Sequence, residues 1–243
     1  MIPKIIHYCW LSNDPYPEKI QKCIDSWKKY LPDYELMLWN FDRFPRGKSK
    51  WVDQAFDSHK YAFAADYIRL YALKEYGGIY LDSDVEVLKS FNDLLDLPYF
   101  LGRENSPNGI EAAVLGCEKG WNLIDDLFEQ YEGKEFIQNG KMDTTAMPIK
   151  FKKLIEEKYK WNDITSKKDF DYDSSVINVF PIDWLSPMKW DTHELIVTPN
   201  TRSIHHFAAS WVSKPSIMER IKVSLTKIPL VVHTYRFLFC RNK

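Results

Sequence analysis

The clearest periodic stretch of the chain runs from Ser58 to Tyr76, "SHKYAFAADYIRLYALKEY". Tyr61, Ala65, Ile68, Ala72 and Tyr76 recur there at helical spacing, and Gly77-Gly78 supplies a stop. The apolar "GIYL" that follows reads as a strand ending in Asp82-Ser83-Asp84. Earlier, "KIIHYCW" reads as a strand, and "YELMLWN" as a second one. Between them, "PEKIQKCIDSWKKYL" carries Ile20, Cys23, Ile24, Trp27 and Leu31 at helical spacing behind Pro17. Such a strand-helix-strand unit predicts a right-handed parallel crossover. Beyond residue 90, "YFLGRE" and "AAVLGCE" suit strands, while "WNLIDDLFEQY" and "AMPIKFKKLIEEKY" suit helices.

The alternation predicts an α/β fold with a mixed, mainly parallel sheet and helices on both faces. Asp82 and Asp84 then lie at the carboxyl end of a strand, the edge where open α/β sheets bind ligands. A length of 243 residues accommodates one such domain. Lys+Arg 33 against Asp+Glu 34 leaves a net charge of -1, so no global field argues for a nucleic-acid partner. Cys9, Cys23, Cys117 and Cys240 form no CxxC pair, which suits a reducing compartment and speaks against a zinc site.

The start "MIPKIIHYCW" has no signal-peptide pattern. No window reaches the ~18 apolar residues of a spanning helix. A cytoplasmic location is expected. In the stretch 218–243, Arg220, Lys222, Lys227, Arg236, Arg241 and Lys243 face only Glu219 and are interleaved with apolar residues. The expected organisation is therefore a domain over 1–213 and a basic amphipathic tail over 214–243. That tail suits either contact with the inner face of the cell membrane or docking on the domain with its basic face solvated.

Two carboxylates one residue apart repel unless a cation joins them, and in an extended segment they share a face. Hard carboxylate oxygens suit Mg²⁺ or Mn²⁺, whose shell substrate phosphates can complete. In isolation, turn chemistry with solvated charge is the better account of the pair, and the metal reading needs support from elsewhere in the chain. On the preceding helix, Asp66 and Arg69 share a face, as a surface ion pair or as ligands for sugar hydroxyls and a diphosphate. In "SIHHFAASW", residues 203–211, an imidazole can join a metal and Trp211 can stack on a ring. Trp10 offers an aromatic face at the end of the first strand.

Three other classes meet these residues less well. A phosphatase of the haloacid dehalogenase kind needs Thr or Val two residues after the second Asp, where this chain has Glu86. An EF-hand loop counted from Asp82 needs Gly at its sixth position, which is Val87. A non-catalytic carbohydrate-binding protein stays open, but it leaves Asp66 and Arg69 without a role.

Together, "IPKIIHYCW", "AFAADYIRLYALKEYGGIYLDSDVEVL" and "SIHHFAASW" resemble glycosyltransferase family 32, the Asp-x-Asp sugar transferases. That group includes bacterial capsular-polysaccharide transferases, fungal mannosyltransferases and the glucosyltransferase domains of large clostridial toxins. The resemblance implies a GT-A type, Rossmann-like nucleotide-sugar-binding domain, a UDP-hexose donor, Mn²⁺ or Mg²⁺, and retention of anomeric configuration. It further implies a saccharide or lipid-linked saccharide acceptor in polysaccharide biosynthesis. By position, Trp10 would stack on the uracil, and Asp66 and Arg69 would hold the donor sugar and diphosphate. Tyr80 and Asp82 would line the ribose and phosphate side. Asp82, Asp84 and His206 would hold the metal, with Asp84 the main ligand, while Ser210 and Trp211 would close the site. His205 would pack or hydrogen-bond behind His206. Ala208-Ala209 stand where the family often has a Gly.

Overall fold

The computed structural model describes residues 1–12, 14–104, 109–189 and 192–208. Ser210, Trp211 and the expected tail 214–243 lie outside the described residues. Met1–Ala208 forms one compact unit.

The chain begins β1 (Ile5–Cys9), α1 (Glu18–Tyr30), β2 (Glu35–Trp39), α2 (Lys50–Asp57), α3 (Tyr61–Tyr76) and β3 (Gly78–Leu81). It continues with β4 (Val85–Val87), β5 (Tyr99–Glu104), β6 (Gly109–Cys117) and α4 (Asn122–Glu129). Then come the short pair β7 (Ile137–Gln138) and β8 (Lys141–Met142), α5 (Met147–Lys158), β9 (Lys160–Asp163), β10 (Val176–Val179), α6 (Ile182–Leu185) and β11 (Ser203–His205). The central sheet has the order β2-β1-β3-β6-β5. β1 is parallel to both β2 and β3, and β6 is antiparallel to both β3 and β5. Four strands thus run one way and β6 alone runs against them, which is the mixed, mainly parallel sheet expected.

Helices cover both faces. Tyr8 packs edge-on against Trp27 of α1, with ring centroids 5.1 Å apart. Its neighbour His7 meets Tyr76 of α3 at 5.9 Å. Adjacent strand residues point to opposite faces, so α1 and α3 lie on opposite sides of β1. β3, between β1 and β6, is buried along its whole length, and its carboxyl end is where the chain must turn outward.

Two helical details differ from the sequence pattern. α2 is an additional helix, capped by the Ser49 hydroxyl accepting from the Val52 amide, with Trp51, Val52 and Ala55 buried. The helix expected from Ser58 begins only at Tyr61, because His59 adopts a left-handed backbone (φ 57°) between α2 and α3. Nor is α3 buried along one stripe. Ala64, Asp66, Tyr67, Ile68, Arg69, Leu70, Ala72 and Leu73 are all buried, while Tyr61 and Tyr76 are exposed. A helix wedged between the sheet and other helices loses its polar face, so Asp66 and Arg69 go inside.

The stop after α3 is sterically demanded. Gly77 has φ +65°, and a Cβ there would lie 2.6 Å from the Lys119 amide nitrogen. Gly78 has φ +99°, and its Cβ would lie 2.9 Å from the Ile5 carbonyl oxygen. Only glycine combines left-handed torsions with so close a backbone approach.

Candidate functional site

The site forms where α3, the end of β3 and β11 converge. Arg69 donates to Asp82 Oδ1 at 2.7 Å and sits 3.3 Å from Asp66, three residues back on the same helix. Its guanidinium lies over the Tyr80 ring, 4.5 Å from the centroid. Tyr80 itself is 1% exposed. Tyr80, expected along the ribose side, is thus a buried floor under the Arg69 guanidinium.

Asp82 and Asp84 do not share an extended segment. Residues 82–84 form a turn, with the Val85 amide donating to the Asp82 carbonyl at 3.0 Å, before β4 begins. The turn still keeps the carboxylates together. β4 pairs antiparallel with β11, setting His205 opposite Val85, and His205 Nε2 lies 3.5 Å from Asp84 Oδ1. One ligand atom each from Asp82, Asp84 and His205 falls within 4.8 Å of the others. Asp84 is further held by the Ala208 amide, which donates to its Oδ2 at 2.8 Å.

The expected metal ligand His206 is placed elsewhere. β11 ends at His205, Phe207 takes a left-handed backbone (φ 46°), and His206 Nε2 meets Glu86 Oε2 at 2.9 Å. His205 takes the inward position expected of His206. The exchange follows from the β4–β11 register, which strand alternation within "SIHHFAASW" cannot supply.

Burial governs the electrostatics. It raises the Asp66 carboxyl to about 6 despite the opposing Arg69 charge. Asp84 is also raised, first by burial, with His205 opposing. For His205, burial pulls the imidazole down, but the charges of Glu111, Asp84 and Asp82 prevail and lift it to about 9. Glu104, at the end of β5, is lifted to about 7 by burial and by the Glu111 charge.

Trp10 stands just past β1, half-buried, with its indole N–H donating to the Asp14 carbonyl at 3.0 Å and its ring edge-on to Tyr16. It occupies the same carboxyl edge as Asp82. The residue absent from the sequence reading is Glu111 of β6, buried with its Oε1 3.5 Å from His205 Nδ1. A lone acid in the apolar run "GIEAAVLGC" was the one signal pointing to it.

Residues 17–101 match the family model described as "Glycosyltransferase sugar-binding region containing DXD motif". Inositol phosphoceramide mannosyltransferase 3 of Schizosaccharomyces pombe is 41% identical over 127 residues, covering 49% of this chain and 34% of the relative. A mannosyl phosphorylinositol ceramide synthase of Saccharomyces cerevisiae is 40% identical over 124 residues, covering 48% of this chain and 31% of the relative. The chain thus spans about a third of the length of these relatives. Among solved structures, the PaToxG glycosyltransferase aligns with a TM-score of 0.48 at 25% identity, over 64% of this chain and 69% of that one.

Proposed function

We propose that the chain, whose residues 17–101 match the DXD glycosyltransferase family model, transfers a hexosyl group from a nucleotide-diphosphosugar to a saccharide or lipid-borne acceptor. A UDP-sugar is the donor to test first. The relatives named for mannosyl transfer put mannose first among the hexoses. The observation that carries the reading is the convergence of Asp82, Asp84 and His205 beside a buried, ion-paired Arg69.

The donor set fits a divalent cation such as Mn²⁺ or Mg²⁺: two hard carboxylates and one imidazole, carried on a turn and a strand. When bound, such an ion supplies Lewis-acid stabilisation of the charge that builds on a leaving diphosphate. Arg69 adds to this. Its guanidinium is preorganised by Asp66, Asp82 and the Tyr80 ring, so it can donate to a phosphate oxygen without reorganising. Asp66, next to Arg69 with its carboxyl raised to about 6, can donate to or accept from a sugar hydroxyl near neutral pH. Transfer with retention fits a donor attacked from the face of the leaving phosphate, whose oxygen takes the acceptor proton.

The proposal extends to the tail 214–243, whose basic and apolar residues would bring the domain to an anionic membrane surface on the cytoplasmic side. Equal vesicle co-sedimentation of the full chain and of residues 1–214 would remove that part.

The test of the main reading is thermal shift with Mn²⁺ across UDP- and GDP-hexoses, followed by donor hydrolysis. A ligand that binds the native state raises the melting temperature. One nucleotide sugar should stand out and be hydrolysed. A flat panel, with glycans shifting the melt instead, would favour a carbohydrate-binding protein.

A further inference from the structure

Glu111 is an acid in a strand that is otherwise apolar. All nine residues of β6 are buried, Glu111 at 2% exposure. Removing a carboxylate from water this completely is costly unless partners compensate. Its Oε1 accepts from the Ala113 amide at 2.6 Å, and its Oε2 has no hydrogen-bond partner among the described residues. The side chain facing it is the imidazole of His205. That imidazole stands between two carboxylates, with Nδ1, which like Glu111 Oε2 is buried without a hydrogen-bond partner among the described residues, 3.5 Å from Glu111 Oε1 and Nε2 3.5 Å from Asp84 Oδ1.

We propose that Glu111 is a positioning residue for His205, holding the proton on Nδ1 so that the Nε2 lone pair faces Asp82 and Asp84. The inference rests on the metal reading above. A neutral imidazole ligates through one nitrogen while the other carries the proton, and a carboxylate on that second nitrogen selects tautomer and ring orientation. The backbone locks the arrangement. Ala113 donates its amide to Glu111 and accepts through its carbonyl from the Asp82 amide at 2.9 Å, so one residue of β6 sets both the positioning acid and the turn carrying Asp82. Glu111 touches neither cation nor donor and acts through His205.

The test is Mn²⁺ affinity, read by electron paramagnetic resonance on the full chain, for wild type, Glu111→Gln, His205→Ala and the double variant. Gln keeps the shape and can keep an oxygen in the Oε1 place, which faces both the Ala113 amide and Nδ1, but it lacks the negative charge that holds the proton on Nδ1, so Asp84 at Nε2 draws the ring to the other tautomer. Glu111→Gln is expected to bind Mn²⁺ about tenfold more weakly, His205→Ala more weakly still, and the double variant no worse than His205→Ala. Wild-type affinity in Glu111→Gln, or a loss that adds in full to that of His205→Ala, overturns the proposal. Ring ¹⁵N signals of His205 in metal-free protein, at a pH where the ring is neutral, provide the second readout. Nδ1–H in wild type and Nε2–H in Glu111→Gln support the inference, and identical signals overturn it even where the cation does not bind. A wild type without Mn²⁺ affinity but with the tautomer change would overturn only the metal reading.

Discussion

Arg69 and Asp82 meet in a single hydrogen-bonded ion pair of 2.7 Å that ties the middle of α3 to the first residue beyond β3. The Arg69 side chain is 5% exposed and that of Asp66, its other partner, 10%. Removing the guanidinium strands a buried carboxylate, which costs about 3–5 kcal/mol. Arg69→Ala should therefore lower the urea midpoint markedly. Arg69→Lys keeps the charge and loses the planar fork, so it should fold with a smaller loss and bind UDP more weakly. An unchanged midpoint in Arg69→Ala would show that the pair does not carry the contact.

Asp84→Asn separates folding from function. Burial disfavours the ionised Asp84 carboxylate in metal-free protein, with His205 only partly compensating. Neutralising it should leave the melting temperature in chelator at or above that of wild type while abolishing turnover. A chelator-treated variant that melts well below wild type would mean that Asp84 is structural.

The acid limb of stability should contain two opposed contributions. Burial raises Asp66 from its ordinary 3.8 to about 6, so the folded state binds the extra proton and stability falls as pH rises through roughly 4 to 6. Burial lowers His7 from 6.5 to about 4, so the unfolded state binds the extra proton and stability rises with pH from about 4 to 6.5. His7 is held neutral between the Gly77 carbonyl oxygen at 2.7 Å and the indole N–H of Trp39 at 3.1 Å. Asp66→Asn should therefore make stability climb more steeply over this window than in wild type. Parallel urea curves from pH 4 to 7 for both proteins would refute the assignment.

Gly77→Ala probes the turn that launches β3. The added methyl would strike the Lys119 amide at 2.6 Å and the Cys117 carbonyl at 3.0 Å, on a backbone of φ +65°. A loss above about 1 kcal/mol is expected from torsional strain alone, with the clash adding to it. Because Asp82 lies only five residues on, Mn²⁺ affinity per folded molecule should fall too. Stability equal to wild type would mean that the turn relaxes freely.

What the sequence displayed was the local part of this design. β1, α1, β2, the glycine stop and the carboxylates after β3 follow from periodicity, β-branching and turn chemistry within a few residues of each other. The rest is decided at long range. β4 and β11 are three residues each, and their register, which turns His205 inward, is set by pairing across more than 100 residues of chain. Glu111 shows the same limit: one acid in an apolar run is visible, but its burial beside an imidazole appears only when β6 lies against β3. The burial of Tyr80 under Arg69 likewise appears only when α3 lies against β3.

The two adjacent histidines supply the sharpest test of that long-range register. His205 stands between Asp84 and Glu111 with its side chain 15% exposed, whereas His206 pairs with Glu86, both side chains exposed by more than a third. A pair as open as His206–Glu86 contributes at most about 1 kcal/mol, and neither of its members belongs to the cluster with Asp82. His206→Ala should accordingly bind Mn²⁺ within about twofold of wild type, while His205→Ala should lose at least about tenfold, as removal of a ligand demands. Isothermal titration of Mn²⁺ in the presence of UDP measures both. If His206→Ala lost more than His205→Ala, the pairing of β4 with β11 would have to be shifted by one residue, and the inward imidazole would be the one that follows His205.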